Sequence, residues 1–192
     1  MEEKINIEDL IIKNPKQLVL GCGSTKLKRM SLDGSDKFGS NVTRLDINED
    51  HKPDIVWDLN NLPLPFNDNE FDEVHMYDVL EHLSTQGNYK EFFAFFTEMN
   101  RIMKNQAVFF AIVPHWSSMW AWGDPSHTRI INRGTITFLV QREYEQQVGI
   151  SAMTDYRNIY KANFELVMAK ETMVDGQPGQ FGSFAFALMA TK

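Results

Sequence analysis

Gly21 and Gly23 leave a short apolar run, Gln17 to Leu20, and Asp46 closes a second such run 25 residues after Gly21. Small residues at a strand exit let a ligand approach the backbone, and free amides there can donate to it. A carboxylate at the next exit is placed to accept hydrogen bonds from ribose hydroxyls, and it repels a phosphate. A third exit, "WDLNNLPLPF", supplies Asp58, placed to reach a base's exocyclic amine, and Leu59 to pack on its ring. A fourth, "MYDVLEHL", gathers Tyr77, Asp78, Glu81 and His82. Beyond a fifth run, "PHWSSMWAWGDPSHTR" carries His115, Trp116, Trp122, Asp124 and His127 in a stretch without period.

Each feature also has a structural reading. Two glycines suit any tight turn, and Asp46, Asp58 and Asp78 could simply cap turns or a helix. His82 could face a ligand cleft or pack as a satisfied histidine. The tryptophan-rich stretch, costly to expose, is either a lid on a ligand or a small satellite core. His115, Asp124 and His127 match no standard ligand spacing, so no metal site is expected. The lack of a glycine before Lys26 argues against a P-loop. Asp46 allows NAD, but the missing third glycine argues against a pyrophosphate.

The elements that must position these residues follow from hydrophobic pattern. Strands are expected over Gln17–Leu20, Val42–Ile47, Asp54–Trp57, Phe71–Tyr77 and Ala107–Val113; continuous apolar runs fit strands buried on both faces. A helix is expected over Asn88–Lys104, with Tyr89, Phe92, Phe93, Phe96, Met99 and Met103 on one stripe facing the core. Asn88 with Glu91 forms a capping pair, and Lys104 sits at the negative end of the dipole. A shorter helix is expected to start at Asp78. "NFELVMAK" and "SFAFALMATK", joined by "DGQPGQ", read as an antiparallel hairpin, since so short a link forbids a parallel crossover. The segment between the first two strands is polar and glycine-containing, so the first crossover helix is expected to be short or missing. The order predicts an α/β sandwich with a mostly parallel sheet and an antiparallel edge.

With 192 residues, the chain suits a single domain spanning 1–192, with 114–133 as a lid loop on the acceptor side. A net charge of -7 does not favour a nonspecific nucleic-acid coat, although Lys26, Lys28 and Arg29 could form a local basic patch. One cysteine, Cys22, precludes an intrachain disulfide. The acidic start lacks signal-peptide order and no apolar run reaches membrane length, so a cytoplasmic setting without membrane contact is the expectation.

Together, "LGCG" (20–23), "LDI" (45–47), "DLNNLPLPFNDNEFDEV" (58–74), "DVLEHL" (78–83) and "DPSHTR" (124–129) resemble the class I S-adenosylmethionine-dependent methyltransferases, in particular the small type 11-like group. The resemblance runs from about Leu18 to Leu139. It implies a Rossmann-like three-layer sandwich with a seven-stranded sheet. It also implies that Gly21, Cys22 and Gly23 wrap the methionine moiety, Asp46 with neighbouring Ile47 holds the ribose, Asp58 and Leu59 meet adenine, and Tyr77 lies near the sulfonium. S-adenosylmethionine has a ribose, an adenine and a zwitterionic amino acid but no phosphate, which fits an acidic pocket without a third glycine. The motifs of nucleobase methylation are missing, so a nucleic-acid acceptor is disfavoured.

The expected function is methyl transfer to an oxygen or nitrogen of a small molecule, glycan or protein. His82 or His127 would accept the proton, and His115, Trp116, Trp122 and Asp124 would line the acceptor side. The rival reading is a catalytically inactive binding or sensor protein that keeps the fold.

Overall fold

A computed structural model describes residues 5–24, 26–174 and 180–192. Seven strands form one sheet: β1 (Gln17–Leu20), β2 (Val42–Asp46), β3 (Ile55–Val56), β4 (Phe71–Tyr77), β5 (Met103–Pro114), β6 (Asn163–Met173) and β7 (Phe181–Thr191). Their order is β3-β2-β1-β4-β5-β7-β6. β1 to β5 run parallel, while β7 is antiparallel to both β5 and β6. This is the mixed Rossmann-like sheet that the sequence implies. The expected hairpin is present, although its turn at 175–179 lies outside the described residues.

Helix α1 (Tyr89–Ile102) covers one face of the sheet. The Asn88 side chain accepts from the Glu91 amide at 3.3 Å, as the capping pair requires. Phe92, Phe93, Phe96 and Met99 are buried against Phe71, Val74, Met76, Phe109 and Phe186. The helix ends two residues earlier than expected, and Met103 opens β5. Lys104 therefore sits on a strand, donating to Asp72 Oδ1 at 2.8 Å rather than capping a helix.

The layers are unequal. No α-helix joins β1 to β2 among the described residues; one isolated bridge, Leu27 to Lys37, is the regular pairing there. A helix needs an apolar stripe to dock, and this segment offers mainly Leu27, Met30, Leu32 and Phe38. A buried polar chain holds the segment down instead. Gln17 Nε2, Lys28 Nζ and His75 Nε2 converge on Glu73 Oε2 at 2.7, 2.9 and 3.1 Å. His75 Nδ1 lies 2.7 Å from the Tyr77 hydroxyl, which in turn accepts from the Met30 amide at 3.2 Å. Gln17 Oε1 accepts from Gly39 at 2.7 Å, closing the far end. His75 is fully buried and stacked on Phe110 at 4.8 Å. Burial would raise the Glu73 carboxyl, but hydrogen bonds from His75, Gln17 and Lys28 outweigh it and hold it at about 2.

The expected helix at Asp78 is a single 3-10 turn, Leu80–His82. Asp78 itself takes a left-handed φ of 55° and caps no helix. The Glu81 carbonyl, which would serve residue 85 in an α-helix, accepts instead from the Thr128 and Arg129 amides at 2.9 and 3.1 Å. Between β5 and β6 lie short helices α2 (Met119–Gly123), α3 (Arg133–Thr137) and α4 (Gln141–Glu145). No helix among the described residues is long and apolar enough to cross a membrane.

Candidate functional site

Strand order reverses between β1 and β4, which places a crevice beyond their carboxyl ends. A cleft of about 520 Å³ opens there, walled by Val19, the Gly21–Ser24 turn, Leu27, Arg29, Phe38 and Tyr77 to Val79. Gly21 has φ +62°, and a Cβ on it would stand 2.3 Å from Val79 Cγ2. The close approach of the turn to the β4 exit therefore requires glycine. The Cys22 amide donates to Leu45 and the Gly23 amide to Asp46 Oδ2, at 3.1 and 2.7 Å, so the turn is tied to the end of β2. Burial, aided by nearby Asp46, pushes the Cys22 thiol up and keeps it neutral.

The sequence-derived residues divide into groups. Gly21, Cys22, Gly23 and Tyr77 meet in the cleft. Asp46 is buried at its edge, with Oδ1 on the Asn48 amide and Oδ2 on Gly23. Each carboxylate oxygen retains a further lone pair. Ile47 is exposed beside it. Asp58 Oδ1 caps its own turn by accepting from Asn60, and the Leu59 side chain is packed in the main core. Tyr77 turns its hydroxyl away from the cleft into the polar chain, and burial raises its pKa well above the ordinary value.

Arg29 was legible only as one of three close cations. The structure places it in the cleft wall, paired with Asp78 and 5.4 Å above the Tyr77 ring. The local basic patch does not form, because Lys28 is buried on Glu73.

Three residues beyond Asp78, Glu81 is 3% exposed and both its carboxylate oxygens lack a partner among the described residues. Burial pushes this carboxyl up to about 8, with the Asp78 and Asp124 charges adding to the rise. The His82 and His127 rings meet edge to face, 4.6 Å apart. His127 Nε2 lies 3.9 Å from both Glu81 Oε1 and Asp124 Oδ2. Asp124 Oδ1 accepts from Ser126 N and Oγ, which lowers its pKa. Arg129 braces the segment, donating to Thr85 O and Asn88 O at 2.7 and 3.0 Å.

His115 is elsewhere. It is buried against Phe181 of the hairpin, 4.8 Å between rings, with Nδ1 2.7 Å from Ser117 Oγ. Trp116 and Trp122 are exposed, tied together by Trp122 Nε1 donating to Trp116 O at 2.8 Å. The satellite-core reading thus fits His115, while the tryptophans remain on the surface.

Residues 18–111 match the model of a family described as a methyltransferase domain. This match, over just under half of the chain, and the fold together support a class I S-adenosylmethionine-dependent methyltransferase. No curated protein matches this chain in sequence. Solved structures share its fold at low identity. A methyltransferase from Mesorhizobium loti superposes with a TM-score of 0.58 at 15% identity, over 95% of each chain. One from Methanosarcina mazei gives 0.55 at 15% identity, over 98% of this chain and 99% of that one. A complex of the Haloferax volcanii Trm112 methyltransferase activator with a methyltransferase gives 0.57 at 14% identity, over 94% of this chain and 84% of that one.

Proposed function

We propose that the protein transfers the methyl group of S-adenosylmethionine to an oxygen or nitrogen of an acceptor bound beside the β4 exit. The observation that carries this reading is the cleft at the switch point, which holds one cation and one anion, Arg29 and Asp78, against a glycine turn. A zwitterionic amino acid needs such a pair, with Arg29 for its carboxylate and Asp78 for its ammonium. Asp46 offers its free lone pairs to the ribose, with Ile47 against it. Asp58 serves the adenine amine, and Leu59 contributes its backbone. In-line displacement then requires mainly alignment of acceptor and methyl.

The acceptor end is the corner of Glu81, His82 and His127, where the acceptor loses its proton. Trp116, Trp122 and Asp124 of the 114–133 lid border it. His115 supports the lid from behind. Calorimetry with S-adenosylhomocysteine and NAD tests the reading. Binding of the first and not the second is expected; the reverse would overturn it.

The uncovered β1–β2 connection favours a second reading, a non-catalytic binding protein, since that segment frames the cleft without a helix. Cofactor binding with no methyl transfer to any of a panel of hydroxyl and amine acceptors would support it.

A further inference from the structure

We propose that Glu81, His82 and His127 form the binding site of one divalent transition-metal ion. Each offers a ligand atom, and these atoms all lie within 4.8 Å of one another. Bond lengths of about 2.0–2.2 Å put neighbouring ligands of one ion roughly 3–3.5 Å apart, so side-chain shifts of up to about 1–2 Å close the site. The 3.9 Å from His127 Nε2 to Glu81 Oε1 is too long for a hydrogen bond and suits two ligands awaiting a shared ion.

Partnering points the same way. Glu81 is 3% exposed, yet among the described residues neither of its oxygens has a donor. A carboxylate so placed is costly unless it takes up a proton or a cation joins it. His82 Nδ1 lies 3.2 Å from the Ser126 carbonyl, which can only accept. Nδ1 therefore carries the proton, and Nε2 is left with a lone pair for a metal. The His127 side chain is 8% exposed and its Nδ1 also has no partner among the described residues. Asp124 Oδ2, 3.9 Å from His127 Nε2, stands where it can join as a fourth ligand or steady the ring.

The frame is already rigid. The strand-like contact of Glu81 with Thr128 and Arg129, and of Gln86 N with Thr128 O at 2.8 Å, fixes the two ligand-bearing segments against each other. Two imidazoles with a carboxylate select zinc, manganese, iron or cobalt over magnesium and calcium, which prefer all-oxygen shells.

The consequence for chemistry rests on the methyl-transfer reading. An acceptor hydroxyl bound to the ion would lose its proton to water. The oxygen lone pair would then form the C–O bond as the S–C bond breaks to a neutral thioether, making the acceptor an alcohol or phenol.

The test titrates untagged, chelator-stripped full chain with Co²⁺, read by visible absorption and by thermal shift. One equivalent is expected to bind and raise the melting temperature. His82→Ala and Glu81→Gln should each weaken binding by about tenfold or more. His82→Ala is the safer variant, because the residue is only partly buried. Absence of stoichiometric binding, or equal binding by wild type and both variants, would overturn the proposal. Parallel calorimetry with S-adenosylhomocysteine separates the readings. Cobalt binding without it removes only the methyl-transfer reading, and its binding without cobalt removes only the metal site.

Discussion

Replacing Glu73 with glutamine tests the polar chain that stands in for the first crossover helix. Glu73 Oε2 is the common acceptor for Lys28, Gln17 and His75, and the Lys28 side chain is 3% exposed. Glutamine keeps the shape but removes the countercharge, leaving a buried ammonium unpaired, which costs about 3–5 kcal/mol. The carboxyl's own titration gives a similar figure. Its pKa falls from 4.5 to about 2, and 2.5 units at 1.36 kcal/mol each is about 3 kcal/mol. Urea unfolding at neutral pH, followed by tryptophan fluorescence, should show Glu73→Gln losing about 3 kcal/mol or more with an unchanged m-value. Lys28→Met in the same background should recover a large part of that loss, because the stranded charge goes with it. Arg29 and Leu27 lie on the same segment and wall the cleft, so binding of S-adenosylhomocysteine should weaken in parallel. A Glu73→Gln protein within about 1 kcal/mol of wild type, or strictly additive single variants, would refute the argument.

The pH dependence has a fixed sign. Because the folded pKa of Glu73 lies below the unfolded value, its stabilisation is complete above 4.5 and is lost as pH falls toward about 2. Acid unfolding of wild type should show this loss and that of Glu73→Gln should not. Gly21→Ala combines a φ of +62° with a 2.3 Å clash on Val79, so a loss of about 1–3 kcal/mol and of cofactor binding is expected by thermal denaturation and calorimetry. Arg29→Ala breaks a pair whose side chains are 39% and 49% exposed. Stability should change by under about 1 kcal/mol, while calorimetry should show affinity for S-adenosylhomocysteine falling about tenfold. His115→Ala should lower the melting temperature yet leave turnover unchanged, since the ring packs on the hairpin. A fall in turnover with unchanged stability would return it to the acceptor site.

The strands, the stripe of α1 and the glycine turn were legible because they are local. Periodicity marks which face of an element is buried, and a strand exit marks where a tight turn must follow. The failures are equally physical. "DVLEHL" has helical residues, but the Glu81 carbonyl is taken by a segment more than forty positions away. His115 and His127 sit in one aromatic-rich stretch and look alike in sequence. One is enclosed by a hairpin that arrives much later in the chain, the other is turned toward Glu81. Lys28 and Arg29 are adjacent, yet the first is buried on Glu73 and the second faces the cleft.

The sequence by itself therefore determined the succession of strands, the long helix α1, a first crossover helix that is short or missing, and the resemblance to methyltransferases. Each depends on residue type and spacing along a short stretch. Only the tertiary structure decided the partners of the charged groups: Lys28 with Glu73, Arg29 with Asp78, and Glu81 with none among the described residues. Burial and charge pairing arise between segments distant in the chain, and no local pattern encodes which of them meet.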